Sequence, residues 1–179
     1  EEAAADDGIN TWEELKTALA AGGEVVLGGN VEIAEAETVK IKNTVVLELN
    51  GYAITRPAVV NKPLFQIRDG GSLTVNDAKG TGAVNTTYPF QLMSNSTLVL
   101  NGGNITSSQG AAIDIYTSAS NVSVGMHGGS VVAAADNTFG IRGKQNVVVD
   151  ITGGTISSAT NRLAMYVSGD QDGAIQLNI

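Results

Sequence analysis

A strand-and-turn segment that recurs about every 25 residues constrains this chain more than any other feature. Three copies read LVLNGGNI over residues 98–105, VSVGMHGGSV over 122–131 and VVVDITGGTI over 147–156. A weaker copy reads LELNGYAI over 47–54. A repeat of this length that contains only strands and turns is typical of a solenoid, in which each unit buries its apolar side against the next.

Each repeat also ends in a third short strand, predicted at residues 39–42, 65–68, 90–93, 113–116, 139–142 and 165–167. Side chains alternate across a strand, so the apolar members of each strand are expected to point inward. These inward pairs are Val39 and Ile41, Phe65 and Ile67, Phe90 and Leu92, Ile113 and Ile115, Phe139 and Ile141, and Met165 and Val167. Three strands and three bends per coil predict an all-β fold, a right-handed parallel β-helix over residues 24–179. We expect about six full coils and a partial seventh over 174–179.

A short helix is predicted before the first coil, over residues 11–23. Thr11 and Glu14 have the spacing of a capping box, and the apolar residues that follow fall on one side of a helix. This helix is expected to cap the first coil. Nothing comparable follows Ile179, so the C-terminal coil is expected to be uncapped, open to further coils or to another subunit. Residues 1–10 are predicted to be an acidic tether, and a chain that begins at Glu1 without Met is expected to be processed or trimmed.

Charge and composition argue against several classes of partner. The net charge is −8, and the whole acidic excess lies in the first 48 residues. A chain without a basic stripe is not expected to bind nucleic acid or an anionic membrane surface, and no apolar run is long enough to predict a membrane span. The chain has no cysteine, so disulfides and thiolate metal sites are excluded. We predict no cofactor and no metal site.

The coil period and strand pattern of residues 24–179 resemble those of the pectate-lyase-like right-handed β-helix superfamily. The chain is also similar to the Gly-, Asn- and Thr-rich solenoid modules of large bacterial surface proteins. There, a segment like TWEELKTALA at 11–20 followed by GEVVL at 23–27 commonly opens the module. This resemblance implies an architecture rather than an activity.

Enzymes of that superfamily would need acidic residues in pairs. The segments MHGG at 126–129 and IRGK at 141–144 are faint echoes of polygalacturonase-like motifs, but the partner aspartates of those motifs are absent. The aspartates of this chain fall mostly in bends. They do not form a column like the one with which pectate lyases bind Ca²⁺. His127 is interpreted as an exposed turn residue. We therefore predict no catalytic residues and no enzymatic activity.

The outward side of the third strands is the best candidate for binding. One predicted column contains Gln66, Gln91, Asp114, Gly140 and Tyr166, and the next contains Arg68, Met93, Tyr116, Arg142 and Ser168. Tyrosines beside Asp, Arg and Gln can stack on sugars and form hydrogen bonds with them. The predicted ligand-binding residues are Gln66, Arg68, Gln91, Asp114, Tyr116, Arg142 and Tyr166. The alternative is an ordinary solvated sheet surface whose polar residues prevent aggregation.

The function expected from these observations is that of a non-enzymatic structural or adhesive module at a bacterial cell surface or in the extracellular space. Its expected partners are a glycan or a host surface protein, with self-association through the C-terminal coil as a further expectation. Two alternatives stay open: an assembly subunit of a phage virion or a filament, and a polysaccharide lyase or hydrolase. Fold alone does not decide among them.

Overall fold

The computed structural model describes residues 8–158, 162–168 and 175–179, and it is a three-sided parallel β-helix. Sheet 1 consists of β1 (Gly23–Val26), β4 (Thr44–Glu48), β7 (Ser72–Asn76), β10 (Ser96–Leu100), β13 (Ser120–Met126), β16 (Gln145–Ile151) and β19 (Ile175–Asn178). Sheet 2 consists of β2 (Val31–Glu32), β5 (Ala53–Thr55), β8 (Ala83–Thr86), β11 (Asn104–Ser107), β14 (Ser130–Ala133) and β17 (Thr155–Ser158). Sheet 3 consists of β3 (Val39–Ile41), β6 (Phe65–Ile67), β9 (Phe90–Leu92), β12 (Ile113–Ile115), β15 (Phe139–Ile141) and β18 (Met165–Val167).

The core is a set of stacked columns of inward side chains, as the alternation predicts. In sheet 3, Phe65 pairs with Phe90, which is in register with Ile113 and then Phe139. All four are buried, and the rings of Phe65 and Phe90 stack with centroids 5.6 Å apart. The predicted inward pairs are confirmed as buried in β3, β6, β9, β12 and β15. In the last coil the inward side is more open, and Val167 is exposed.

The third strands begin where the alternation predicts, but the first five end one residue earlier than predicted. The last predicted residue of each already lies in the bend toward sheet 1, because the chain turns as soon as the second inward side chain has been placed. The last third strand, β18, has the predicted bounds.

The first coil is covered by helix α1 (Trp12–Ala21), and the predicted capping box is confirmed. The Glu14 amide donates to the Thr11 hydroxyl at 3.3 Å, and the Thr11 amide donates to the Glu14 carboxylate at 3.1 Å. The helix ends at Gly22, whose φ of 83° favours glycine. Its buried side chains Trp12, Leu15 and Leu19 belong to the same core as the coils.

Residues 8–10, at the end of the predicted tether, contact the first coil. Ile9 forms a parallel bridge with Leu27, and its amide donates to the Val26 carbonyl at 2.9 Å. The other residues of the predicted tether, 1–7, lie outside the described residues, as does Ala174 of the predicted partial coil.

The repeated Gly-Gly pairs lie at the bend from sheet 1 to sheet 2. Gly129 has φ of 77°, and a Cβ there would lie 2.5 Å from the Gly103 carbonyl oxygen of the preceding coil. Only glycine fits this combination of backbone angle and close stacking. At the same bend the Asn101 side chain donates to that of Asn76 at 2.9 Å. Asn50 occupies the same place as Asn101 in the repeat copies, but it lies two residues later in the stack, because Glu48 is the register partner of Asn76.

Candidate ligand-binding cleft

The outward residues of sheet 3 form the column that the period-2 pattern predicts. Gln66, Gln91, Asp114, Gly140 and Tyr166 follow one another in register through successive strand pairs. These are the central residues of short three-residue strands, so both neighbours of each point into the core. The buried apolar pairs therefore fix where this polar column lies.

Hydrogen bonds join the N-terminal part of this column. The Gln66 amide donates to the Gln91 side-chain oxygen at 2.8 Å, and Arg68 donates to Gln66 at 3.2 Å. Arg68 also donates to Asp69 at 3.0 Å, and Lys42 forms a 3.0 Å ion pair with the same carboxylate. Lys42 and Arg68 are thus both already paired with Asp69.

Asp114 is the centre of the column. Its side chain is on the outward side of β12 but only 3% exposed, so it is an anchor beneath the surface and not an exposed contact. It accepts hydrogen bonds from the Tyr88 hydroxyl and from the Arg142 guanidinium. The Gln91 amide lies 3.3 Å from the same carboxylate and donates to the Tyr88 oxygen at 3.0 Å. A carboxylate with this many donors is held in one orientation.

Burial and charge perturb the partners of Asp114. Burial, followed by the Asp114 charge, raises the pKa of Tyr88 well above its usual value, so this phenol stays protonated at neutral pH. Burial acts to lower the pKa of Arg142, but the hydrogen bond and the charge of Asp114 outweigh it and raise that pKa. The cluster therefore consists of the neutral Tyr88 phenol and the Asp114–Arg142 ion pair.

A cleft opens beside this cluster. It has a volume of about 300 Å³, and its lining includes Val59, Val60, Tyr88, Ala111, Asp114, Asp136 and Arg142. A smaller cavity of about 120 Å³ continues toward the C-terminal end and is lined by Ala111, Asp136, Asn137, Gly140, Arg142 and Tyr166. The two share Ala111, Asp136 and Arg142. Gly140 leaves room for the Asp114–Arg142 pair, because a Cβ there would lie 3.1 Å from the Asp114 carboxylate.

The outer wall of the cleft is formed by the loops between sheets 2 and 3, at residues 56–64, 87–89, 108–112 and 134–138, which we call the cleft corner. The backbone of these loops is tied by buried side chains. Arg56, which is only 1% exposed, donates to the carbonyls of Glu37 at 3.0 Å and Lys62 at 2.6 Å. Ser107 lies within 2.7 Å of the carbonyl oxygens of Thr87 and Gly110.

A second tie holds the segment that carries Val59 and Val60. The Thr87 hydroxyl donates to the Val60 carbonyl at 2.7 Å. Backbone groups away from water need a hydrogen-bond partner. In these loops side chains provide the hydrogen bonds that neighbouring strands provide in the sheets. The wall of the cleft is therefore a fixed part of the coil.

The structure separates six of the seven predicted binding residues into two groups and leaves Tyr116 apart from both. Asp114, Arg142 and Tyr166 line the cleft or its continuation, whereas Gln66, Arg68 and Gln91 form the hydrogen-bonded run that leads to it. Tyr116 lies in the neighbouring column, and Tyr116 and Tyr166 are each 41% exposed.

Most residues of the cleft wall were absent from the predicted set, and two of them, Tyr88 and Asp136, carry ionisable groups. Both lie in corner loops, where side-chain direction has no period. The one available signal was the segment TTYPF at 86–90, in which an aromatic residue and a proline stand beside a predicted strand.

The two segments that resemble polygalacturonase-like motifs lie far apart in the structure. His127 follows β13 at the bend between sheets 1 and 2, where its ring nitrogen lies 2.7 Å from the Thr152 hydroxyl, while Arg142 follows β15 on sheet 3. Within residues 8–158, 162–168 and 175–179, no three His, Cys, Asp or Glu side chains are grouped closely enough to hold a metal ion. In the same part of the chain, α1 is too short to cross a bilayer.

Comparison with protein-family models, curated proteins and solved structures gives no match for this chain. The geometry of the cleft therefore carries the functional argument.

Proposed function

We propose that this chain is a non-enzymatic β-helical module of a bacterial surface or secreted protein and that it binds a glycan chain in the cleft beside Asp114. The observation that carries the proposal is a rigid, elongated cleft with polar groups at its floor and half-exposed tyrosines nearby. Concave sites with a few convergent polar groups are the usual form of ligand sites. The similarity to bacterial surface solenoids supports the cellular setting.

The chemistry of the cleft suits sugars. A pyranose ring has an apolar side that packs on an aromatic ring, and hydroxyls at its edge that form hydrogen bonds. Tyr166 supplies such a ring at the C-terminal end of the cleft, and Tyr116 supplies another in the next column. Arg142 supplies N–H donors and Asp136 a carboxylate acceptor between them.

Binding to a glycan array, followed by calorimetric titration with the retained sugars, tests the proposal. We expect Tyr166→Ala to weaken binding about tenfold or more and Tyr116→Ala to weaken it less, because Tyr116 does not line the cleft. Tyr52→Ala is the matched control, since Tyr52 lies at the sheet 1 to sheet 2 bend, packed under Lys79. Unchanged affinity in both test variants would reject the cleft as the binding site.

A polysaccharide lyase or hydrolase is the second candidate, because Tyr88, Asp114 and Arg142 meet in a cleft. Two observations place it second. Asp114 is already bonded to all three donors around it, and the raised pKa of Tyr88 keeps that phenol protonated at neutral pH. Release of reducing ends or unsaturated uronides from a polysaccharide panel, abolished by Asp114→Ala, would instead establish the enzyme.

A further inference from the structure

We infer that the cleft selects glycan chains without carboxylates, that is, neutral or amino sugars rather than uronates. The inference rests on the proposed glycan binding and names the substrate class of the same site. It depends on how the charged side chains around the cleft are paired.

Three charged side chains line the cleft and its continuation: Asp114, Asp136 and Arg142. The charge of Arg142 is compensated within the protein, because its guanidinium donates to the buried Asp114 carboxylate. Asp136 remains as a second acid on the same wall, so these lining residues carry more negative than positive charge. A sugar carboxylate placed here would face like charges without a free cation to compensate them.

The next cation along sheet 3 is also engaged. Arg68 donates to Asp69 and to Gln66, which places its guanidinium in the hydrogen-bonded run at the N-terminal side. Asp69 is shared with Lys42. A uronate placed beside Arg68 would have to break an existing ion pair to gain a new one, and such an exchange yields little net affinity.

Hydroxyl groups meet no such obstacle. The Arg142 side chain is 40% exposed and has five N–H donors, of which Asp114 uses one. A carboxylate such as that of Asp136 accepts from a hydroxyl, and it would pair with the ammonium of an amino sugar. The groups available in the cleft are therefore complementary to neutral and cationic sugars.

The cleft is also long enough for several sugar units. Together the cleft and the smaller cavity beside it run from the loop before β6 to Tyr166 in β18, which are four strand spacings apart, or about 19 Å. Because the coils repeat at regular spacing, each sugar would meet a different set of side chains, with the charged ones concentrated near Arg142. Discrimination against carboxylates is thus expected to be strongest for the central unit.

The experiment compares polyuronates with the same polymers after their carboxylates have been reduced to hydroxymethyl groups, so that linkage and length are matched. We expect the reduced form to bind at least about tenfold more tightly. Raising the salt from about 50 to 500 mM should strengthen binding of the polyuronate and leave that of the neutral polymer unchanged. Equal or tighter binding of the polyuronate would overturn this inference and leave glycan binding intact, whereas no retention of any glycan would overturn the proposed function itself.

Asp136→Asn sharpens the comparison. Removing this acid should reduce the preference for the reduced polymer severalfold, because the uronate then meets one less negative charge. Asp150→Asn is the matched control, since it removes the same charge from β16 on sheet 1. A preference that changes equally in both variants, or in neither, would contradict the role assigned to the cleft charges.

Discussion

Two corners of the β-helix turn the chain from one sheet to the next in different ways. At the corner between sheets 3 and 1, which we call the asparagine corner, Asn95, Asn121 and Asn146 all have positive φ and join side chain to side chain at 3.0 Å. At the cleft corner the loops differ in length from coil to coil and are tied by buried side chains such as Arg56. A corner that repeats gives a smooth edge, while a corner that varies gives a cleft.

The difference shows where this fold can carry specificity. In the asparagine corner each side chain forms a hydrogen bond with the asparagine of the neighbouring coil. A substitution there removes hydrogen bonds between coils. In the cleft corner the ties lie inside and the tips outside, so that Val59 is 76% exposed while Arg56 is buried. Exposed loops on a rigid scaffold are the usual place for binding residues.

The largest expected effect is the loss of the internal tie at the cleft corner. Arg56→Met should lower the free energy of unfolding by at least about 3 kcal/mol, because two hydrogen bonds from a charged group disappear and two carbonyls lose their partner. Chemical denaturation measures this. Arg68→Met is the matched control, and its half-exposed pairing predicts a loss below about 1 kcal/mol. Similar losses in both variants would mean that the buried tie does not hold the corner.

A smaller effect is expected at the asparagine corner. Asn121→Ala should cost about 2 kcal/mol, because alanine tolerates the φ of 58° poorly and two side-chain hydrogen bonds are lost. Asn121→Gly keeps the backbone angle and should cost less, which separates strain from hydrogen bonding. Thermal and chemical unfolding of both variants measure the two contributions. An equal cost for both would show that the hydrogen bonds alone matter.

The next effect depends on pH and concerns the cleft floor. Tyr88→Phe should lower stability by about 1.5 kcal/mol at pH 7, because the hydroxyl donates to the charged Asp114. Burial and Asp114 raise the pKa of Tyr88 in the folded state above the unfolded value of about 10. This contribution is therefore complete below pH 10 and is lost as the pH rises above it, when the unfolded phenol ionises first. The stability gap between wild type and Tyr88→Phe should narrow as the pH rises above about 10, and parallel curves would contradict the assignment.

The sequence predicted the strand residues of sheet 3, but it did not predict the ladder of Asn95, Asn121 and Asn146. Period-2 alternation places Phe90 and Leu92 inside and therefore Gln91 outside, so the polar column of sheet 3 followed directly. That alternation also applies to Arg56, which is two residues after the inward Ile54 and is indeed buried. A charged residue at an inward position was the available signal for an internal tie.

Other parts of the site were beyond the pattern. Tyr88 and Asp136 lie in loops whose side chains follow no period, and their meeting with Asp114 depends on how neighbouring coils stack. The burial of Asp114 has the same cause, because a residue on the outward side of a strand is normally solvated unless loops from adjacent coils cover it. Such contacts between coils become apparent only when the register is known.

The smallest effect on stability is expected at the tip of the cleft wall, where the comparison is most direct. Val59→Ser should change the free energy of unfolding by less than about 0.5 kcal/mol, since the side chain is mostly exposed and lies outside the core. It should nevertheless weaken binding of a neutral glycan a few-fold, because an apolar surface that lines the cleft is lost. Calorimetric titration and denaturation of the same preparation measure both. Val46→Ser on β4 is the control, and it should leave glycan affinity unchanged because Val46 lies on sheet 1. If Val59→Ser lowered stability but not affinity, the cleft corner would be a structural element like the asparagine corner, and the division between the two corners would fail.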